Sequence, residues 1–167
     1  MSKTPDNLQS AFAGESQANR KYLAFARKAD LEGFPNIARL FRSAAEAETV
    51  HAHAHLRALG GVKDTAANVR EAIAGEHDEF VSMYPGFLET AVEEGHKPAE
   101  VSFRFALAVE EIHHRMYQEA LAAIESGRDL PERRIYVCPV CGNTVYDDAP
   151  DKCPICQAPG SSFTAMS

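Results

Sequence analysis

One residue pattern occurs twice in this chain, as Glu48-Thr49-Val50-His51 and Glu110-Glu111-Ile112-His113, 62 positions apart. On a helix, residues i and i+3 project from the same face. Phe41 and Ala44 share that face in the first copy, and Phe103, Ala106 and Tyr117 share it in the second. The carboxylates and imidazoles are therefore predicted to point toward a core, where an ionised carboxylate is costly unless a cation compensates it. A bound metal meets that requirement, and few folds present such groups twice in one frame.

The surrounding frame is duplicated as well. Tyr22 and Tyr84, Glu32-Gly33 and Glu94-Gly95, Phe41-Arg42 and Phe103-Arg104, and Ala44 and Ala106 all keep the 62-residue offset. Gly14-Glu15 and Gly75-Glu76 repeat at 61, a slip of one residue between equivalent elements. Apolar spacing predicts helices over residues 6–32, 36–59, 65–94 and 98–126, the third bent or interrupted at Pro85. Gly33 and Pro35 mark the first turn, and Gly127 the end of the last helix. Two related helical hairpins follow. Glu79 stands i+3 from Glu76, where the first hairpin has Ala18, so the second hairpin is predicted to carry an additional inward carboxylate.

Composition then divides the chain. All four cysteines fall between Cys138 and Cys156, while the helical part is rich in Ala, Glu, Leu and Arg. The expected division is a helical domain over residues 1–130 and a small cysteine module over 131–167, joined by a short charged linker containing Pro131. A module that small cannot be stabilised by burial alone and needs a metal or a disulfide. A net charge of −7 with no Lys/Arg cluster argues against nucleic-acid binding. No apolar run approaches the roughly 20 residues that span a bilayer, and no hydrophobic segment of the signal-peptide kind follows Met1. The expected location is the cytoplasm, where paired Cys-x-x-Cys sequences are metal-binding or redox-active more often than disulfide-forming.

Two constellations carry chemistry. One Glu from each of two helices, with Glu-x-x-His from each of the other two, is the di-metal carboxylate arrangement of ferritin-like bundles. Here these are Glu15, Glu48/His51, Glu76 and Glu110/His113. Four carboxylates match two divalent cations, and mixed imidazole and carboxylate ligation suits iron or manganese. Glu111/His114 fails on periodicity, because its face carries Arg104 and Gln118; His53, His55, His77, His96 and His114 are expected to face solvent or the flanks. The second constellation, Cys138-Pro-Val-Cys141 and Cys153-Pro-Ile-Cys156, makes a tetrahedral four-thiolate cage for zinc or iron. Tyr136, Tyr146 and Phe163 are expected to supply the small core of that module.

In order and spacing, Ala13-Gly14-Glu15, Glu48-x-x-His51-Ala52, Ala74-Gly75-Glu76-x-x-Glu79, Met83-Tyr84-Pro85, Glu110-x-x-His113 and the two Cys-Pro-x-Cys pairs resemble the rubrerythrin family over nearly the whole chain. The resemblance implies an all-α ferritin-like four-helix bundle with a C-terminal rubredoxin-like four-cysteine domain. It implies a di-iron site on Glu15, Glu48, His51, Glu76, Glu79, Glu110 and His113, and one iron (or zinc) on Cys138, Cys141, Cys153 and Cys156. In that pattern Glu79 lets one iron exchange between His51 and Glu79, and Tyr22 and Tyr84 hydrogen-bond behind the ligands. The implied activity is a non-haem peroxidase that reduces hydrogen peroxide to water in oxidative-stress protection, fed by a rubredoxin or a flavoprotein reductase. The implied assembly is a head-to-tail homodimer in which one subunit's tail approaches its partner's bundle. The alternative is a ferritin-like iron-binding ferroxidase with a structural zinc tail. Gln157 and Gly160 depart from the family pattern, at positions that touch no ligand.

Overall fold

Two helical hairpins are closed by the same turn, in which a glycine adopts the left-handed conformation that side chains resist. In the computed structural model, which describes residues 2–166, α1 (Thr4–Leu31) ends at Gly33 with φ 81° and α2 (Pro35–Ala58) follows. The Phe34 N–H donates to Ala29 O at 2.8 Å and the Gly33 N–H to Asp30 O at 3.1 Å, which satisfies two carbonyls left open at the helix end. Gly95, with φ 67°, repeats this turn: its N–H donates to Val92 O, and the His96 N–H donates to Ala91 O. The predicted helix ends at both turns are borne out to within a few residues.

The chain forms two compact units, Met1–Lys63 and Asp64–Ser167. In the first, α1 and α2 pack through small residues: Ala26 and Ala29 on one helix cluster with Ala38 on the other, and Ala45 and Ala52 continue the buried stripe along α2. Alanines at seven-residue spacing on α2 let the backbones approach closely. Asn19 on α1 then reaches across, its amide donating to Ala45 O at 2.6 Å and to Thr49 Oγ1 at 2.8 Å. Tyr22, Phe25 and Phe41 form an aromatic cluster beside this seam.

The second unit begins with α3 (Thr65–Asp78), capped by Asp64, whose carboxylate accepts from the Ala67 N–H at 2.8 Å. A π-helical turn, Glu79–Met83, follows and leads directly into α4 (Tyr84–Glu93). Its cause is Pro85. A proline lacks the N–H that would bond four residues back, so the chain widens and the Tyr84 N–H bonds Glu79 O, five residues behind. The interruption predicted at Pro85 is present, as a wide turn that keeps the rod continuous. α5 (Lys97–Glu125) packs along α3 and α4. Tyr84, Phe87 and Phe103 repeat the first hairpin's aromatic cluster at the 62-residue offset.

The cysteine module belongs to this second unit. Three short antiparallel strands, β1 (Ile135–Val137), β2 (Thr144–Tyr146) and β3 (Thr164–Met166), form a sheet of order β2-β1-β3, with Tyr136 paired to Val145 and to Ala165. Cys138, Cys153 and Phe163 are buried at its centre, and Tyr136 packs against them. Tyr146 is not part of that core: its ring carries the Arg133 guanidinium at 5.2 Å and faces the linker, because it pairs with Ile135 at the strand end. Among the described residues no helix is long and apolar enough to cross a membrane.

Candidate metal centres

The duplication extends to side-chain geometry. In the first hairpin Glu15, Glu48 and His51 bring ligand atoms within 4.8 Å of one another, and in the second Glu76, Glu110 and His113 do the same. Each histidine turns its Nδ1 toward the carboxylate three residues before it, at 3.0 Å for His51 and Glu48 and 2.8 Å for His113 and Glu110. His113 Nδ1 also lies 4.0 Å from Glu76 Oε2. Equivalent helices present one carboxylate, then carboxylate and imidazole, as the i, i+3 pattern requires.

The second triad is electrostatically strained. Burial raises the Glu76 carboxyl, and repulsion from Glu110 and Glu79 raises it further, to about 7. Glu79, on the π turn, lies outside the tight triad, yet burial and the Glu110 charge also raise its pKa. Tyr84 is raised by burial and by Glu79, Glu110 and Glu76, so its hydroxyl sits in the field of the same carboxylates. Such a gathering of like charges fits a divalent cation, which would neutralise it and favour the ionised forms. Tyr22 occupies the matching place in the first hairpin, against Phe25 and Phe41.

The four thiols form a cage. Cys138 Sγ lies 3.6 Å from Cys156 Sγ, and Cys141 Sγ lies 3.5 Å from Cys153 Sγ, far beyond disulfide length. A tetrahedral ion with bonds of about 2.3 Å needs sulfurs roughly 3.8 Å apart, so this donor set fits one metal ion. Burial raises the Cys153 thiol, but N–H groups of Cys156 and Ile155 outweigh it and bring the pKa down to about 7. Burial raises Cys141 and Cys156. The knuckles are pseudo-symmetric: the Gly142 N–H donates to Cys138 O and the Gln157 N–H to Cys153 O, both at 2.9 Å. Gln157 therefore takes the left-handed conformation of Gly142, with φ 64° against 84°, and its side-chain amide donates to Cys153 O at 3.2 Å.

Three features escaped the sequence reading. Asn143 is buried, 1% exposed, and donates to Cys153 Sγ at 3.7 Å; a polar residue directly after a knuckle glycine is the only signal it left. Thr144 Oγ1 lies 2.9 Å from His113 Nε2 and donates to Gly142 O at 3.1 Å. The cysteine module is thus seated on α5 of its own chain, and Val109, Glu110, His113, Cys141 and Gly142 line one groove of about 490 Å³. His114 does not face solvent: it is half-buried, its Nδ1 lies 3.1 Å from Ile73 O, and its ring packs with His77 and Phe80 between α3 and α5.

Comparison with known proteins agrees with both constellations. The family Rubrerythrin matches residues 6–121, and the rubredoxin-like domain of rubrerythrin matches residues 136–164. The chain is 36% identical to Rubrerythrin-2 of Clostridium acetobutylicum, over 98% of this chain and 96% of that one. It is 39% identical to a rubrerythrin of Porphyromonas gingivalis, over 99% and 90%, and 35% identical to nigerythrin of Nitratidesulfovibrio vulgaris, over 97% and 86%. Among solved structures, fully reduced, all-ferrous nigerythrin matches with a TM-score of 0.58 at 32% identity, covering 99% of this chain and 88% of that one.

Proposed function

The chain belongs to the rubrerythrin family, and from that premise we propose that it is a non-haem di-iron peroxidase, reducing hydrogen peroxide to water with electrons relayed through its four-cysteine iron centre. The observation that carries this reading is the pair of Glu/Glu/His triads joined to a four-thiolate cage seated beside one of them. When bound, two ferrous ions supply the two electrons that, with two protons, convert one peroxide into two waters, each ion becoming ferric. Glu15, Glu48, His51, Glu76, Glu79, Glu110 and His113 would hold them.

The chain's own residues have distinct tasks. Glu79 sits on a π turn outside the tight triad, a place from which a carboxylate can swing toward an ion or withdraw. His51 is the histidine free to move in answer, its side chain 55% exposed. The Tyr84 hydroxyl, kept protonated by burial and three nearby carboxylates, holds a proton at the edge of the site, and Tyr22 is its counterpart on the first hairpin. The electron donor to the thiolate iron is a rubredoxin or a flavoprotein reductase, and four free thiols suit the reducing cytoplasm.

The test is anaerobic iron loading followed by assay with a reductase and NAD(P)H. Peroxide-dependent turnover well above that of free iron is expected. Iron uptake without such turnover would favour the ferritin-like storage reading with a zinc-filled tail.

A further inference from the structure

From the length of one connection and the exposure of two matching faces, we propose that the carboxylate metal centre is completed by a second copy of this chain, the α1–α2 hairpin of each copy docking on the helices of the other's second unit. This proposal rests on the di-metal reading of the two triads. Glu15, Glu48 and His51 of one copy then meet Glu76, Glu110 and His113 of the other, and the dimer holds two such centres. Each triad alone offers three ligands, whereas a carboxylate-bridged pair of ions draws on both.

The two faces are matched and uncovered. Among the described residues the helices bury only alanines and Val109, so neither unit holds the large apolar core that a helical layer needs. The ligand-bearing face of the first hairpin continues into Tyr22, Phe25 and Phe41, with Phe25 48% exposed. That of the second continues into Tyr84, Phe87 and Phe103, with Phe87 47% exposed. Tyr22 stands at i+7 from Glu15 and Phe41 at i−7 from Glu48, which keeps them on the triad's side of each helix. The Tyr84 hydroxyl feels the charges of Glu79, Glu110 and Glu76, so the second aromatic trio also lies beside its triad. Trios and triads repeat in one frame, and two such faces meet about a two-fold axis with like elements opposed.

The connection between α2 and α3 decides which copy supplies the partner face. A ferritin-like bundle closed by one chain needs a long crossover that returns the chain along the bundle. Here α2 ends at Ala58 and α3 begins at Thr65. With 24 residues α2 is about 36 Å long, while the six residues of the connection extend to roughly 20 Å. Even that reach is curtailed, because the Gly60 and Gly61 N–H groups donate to Arg57 O and Leu56 O at 2.9 and 3.0 Å, and Asp64 caps α3. Val62 and Lys63 alone lie between the two capped ends. So short a connection cannot make the crossover, and a second copy supplies the hairpin without one. The head-to-tail dimer implied by the family resemblance brings a tail to a complete bundle; here the bundle itself is shared.

Complementation between two altered full-length chains tests this. One carries Glu48→Gln and His51→Gln, the other Glu110→Gln and His113→Gln. They are co-expressed with different tags and purified through both, with zinc in the thiolate cage and manganese(II) as the added probe. Exchanged hairpins give the hybrid one centre with both triads intact and one with neither. The spin-coupled dimanganese signal in electron paramagnetic resonance should therefore return at about half the intensity of the unaltered dimer. Each altered chain by itself should lack it. A coupled signal in the unaltered protein but none in the hybrid would show that the centre closes within one chain. Failure to form any hybrid, or sedimentation of the unaltered protein as a single 18.3 kDa chain, would overturn the exchange as well. If the doubly altered chains lose their helical dichroism, Glu48→Gln paired with Glu110→Gln repeats the test with isosteric changes, and the same return of signal is expected. Neither iron nor peroxide enters, so a failed peroxidase assay leaves the result readable. Absence of the coupled signal from the unaltered protein would overturn the di-metal reading and this proposal with it.

Discussion

The two hairpins carry the same triad and hold it differently. In α1 and α2, His51 hydrogen-bonds Glu48 and its side chain is 55% exposed; in α3 to α5, His113 is bonded at both ring nitrogens and is 29% exposed. The second hairpin also contains a π turn, an added carboxylate at Glu79 and a cysteine module seated on α5. The two ligand sets match in spacing, but the first histidine is the more exposed and loosely held, and the second is held at both ring nitrogens. A redox site that changes ligands during turnover needs both behaviours, since one ligand must move while the rest keep the ions in place.

The comparison can be broken most forcefully at the cysteine module. Cys153→Ser removes one of four thiolates, and structural tetrahedral sites contribute on the order of 10 kcal/mol to folding of so small a module. The visible iron–thiolate bands should vanish while far-ultraviolet dichroism keeps its helical signal. His113 should then exchange its ring protons as fast as His51 does. If His113 stays protected after the module unfolds, its anchoring does not come from Thr144.

Next in size is the contrast between the histidines. His113→Ala should weaken metal binding by roughly 10-fold to 100-fold more than His51→Ala, because a pre-oriented ligand loses less freedom on binding. Competition titration against a coloured chelator reads this directly. Equal losses would mean that the second-hairpin hydrogen bonds do nothing for affinity. Glu79→Ala should lower peroxide turnover roughly tenfold while leaving the thermal midpoint near that of the parent, since Glu79 stands outside the triad. Loss of turnover and of thermal stability together would make Glu79 a structural ligand.

The smallest expected effect is a pH dependence in the metal-free protein. The Glu76 carboxyl stands at about 7 in the fold against an ordinary 4.5. Its charge repulsion is absent at low pH, and the stability is lost as pH rises through 7. Glu76→Gln removes that penalty. The variant should melt with the parent at pH 4 and above it at pH 8, by roughly 2–4 °C if solvent screening leaves about 1 kcal/mol of the effect. Added zinc should reverse the order at pH 8, because the glutamate then has a cation to bind.

Much of this arrangement is legible in the residues. The two triads, the turns at Gly33 and Gly95, and the thiolate cage follow from i, i+3 spacing, glycine at helix ends and paired Cys-x-x-Cys, all of which are local rules. What was not legible depends on docking. Thr144 lies 31 residues from His113 and belongs to a segment whose own pattern describes an independent metal knuckle; only the seating of β2 on α5 brings the two together. Asn143 reads as a loop residue until the knuckle closes over it. Pro85 announces a defect, but whether helix breaks, bends or widens depends on the α5 surface it packs against, and here it widens and carries Glu79 with it. Tyr146 has the alternation of a core residue but lies where β2 runs out beside the linker.

The most direct measurement is Mössbauer spectroscopy of protein loaded anaerobically with iron-57 and then treated with one equivalent of peroxide. A single iron in a four-sulfur environment is expected, together with a pair that passes from ferrous to spin-coupled ferric. Isolated, uncoupled ferric ions on the carboxylate residues would contradict the proposed di-iron reading.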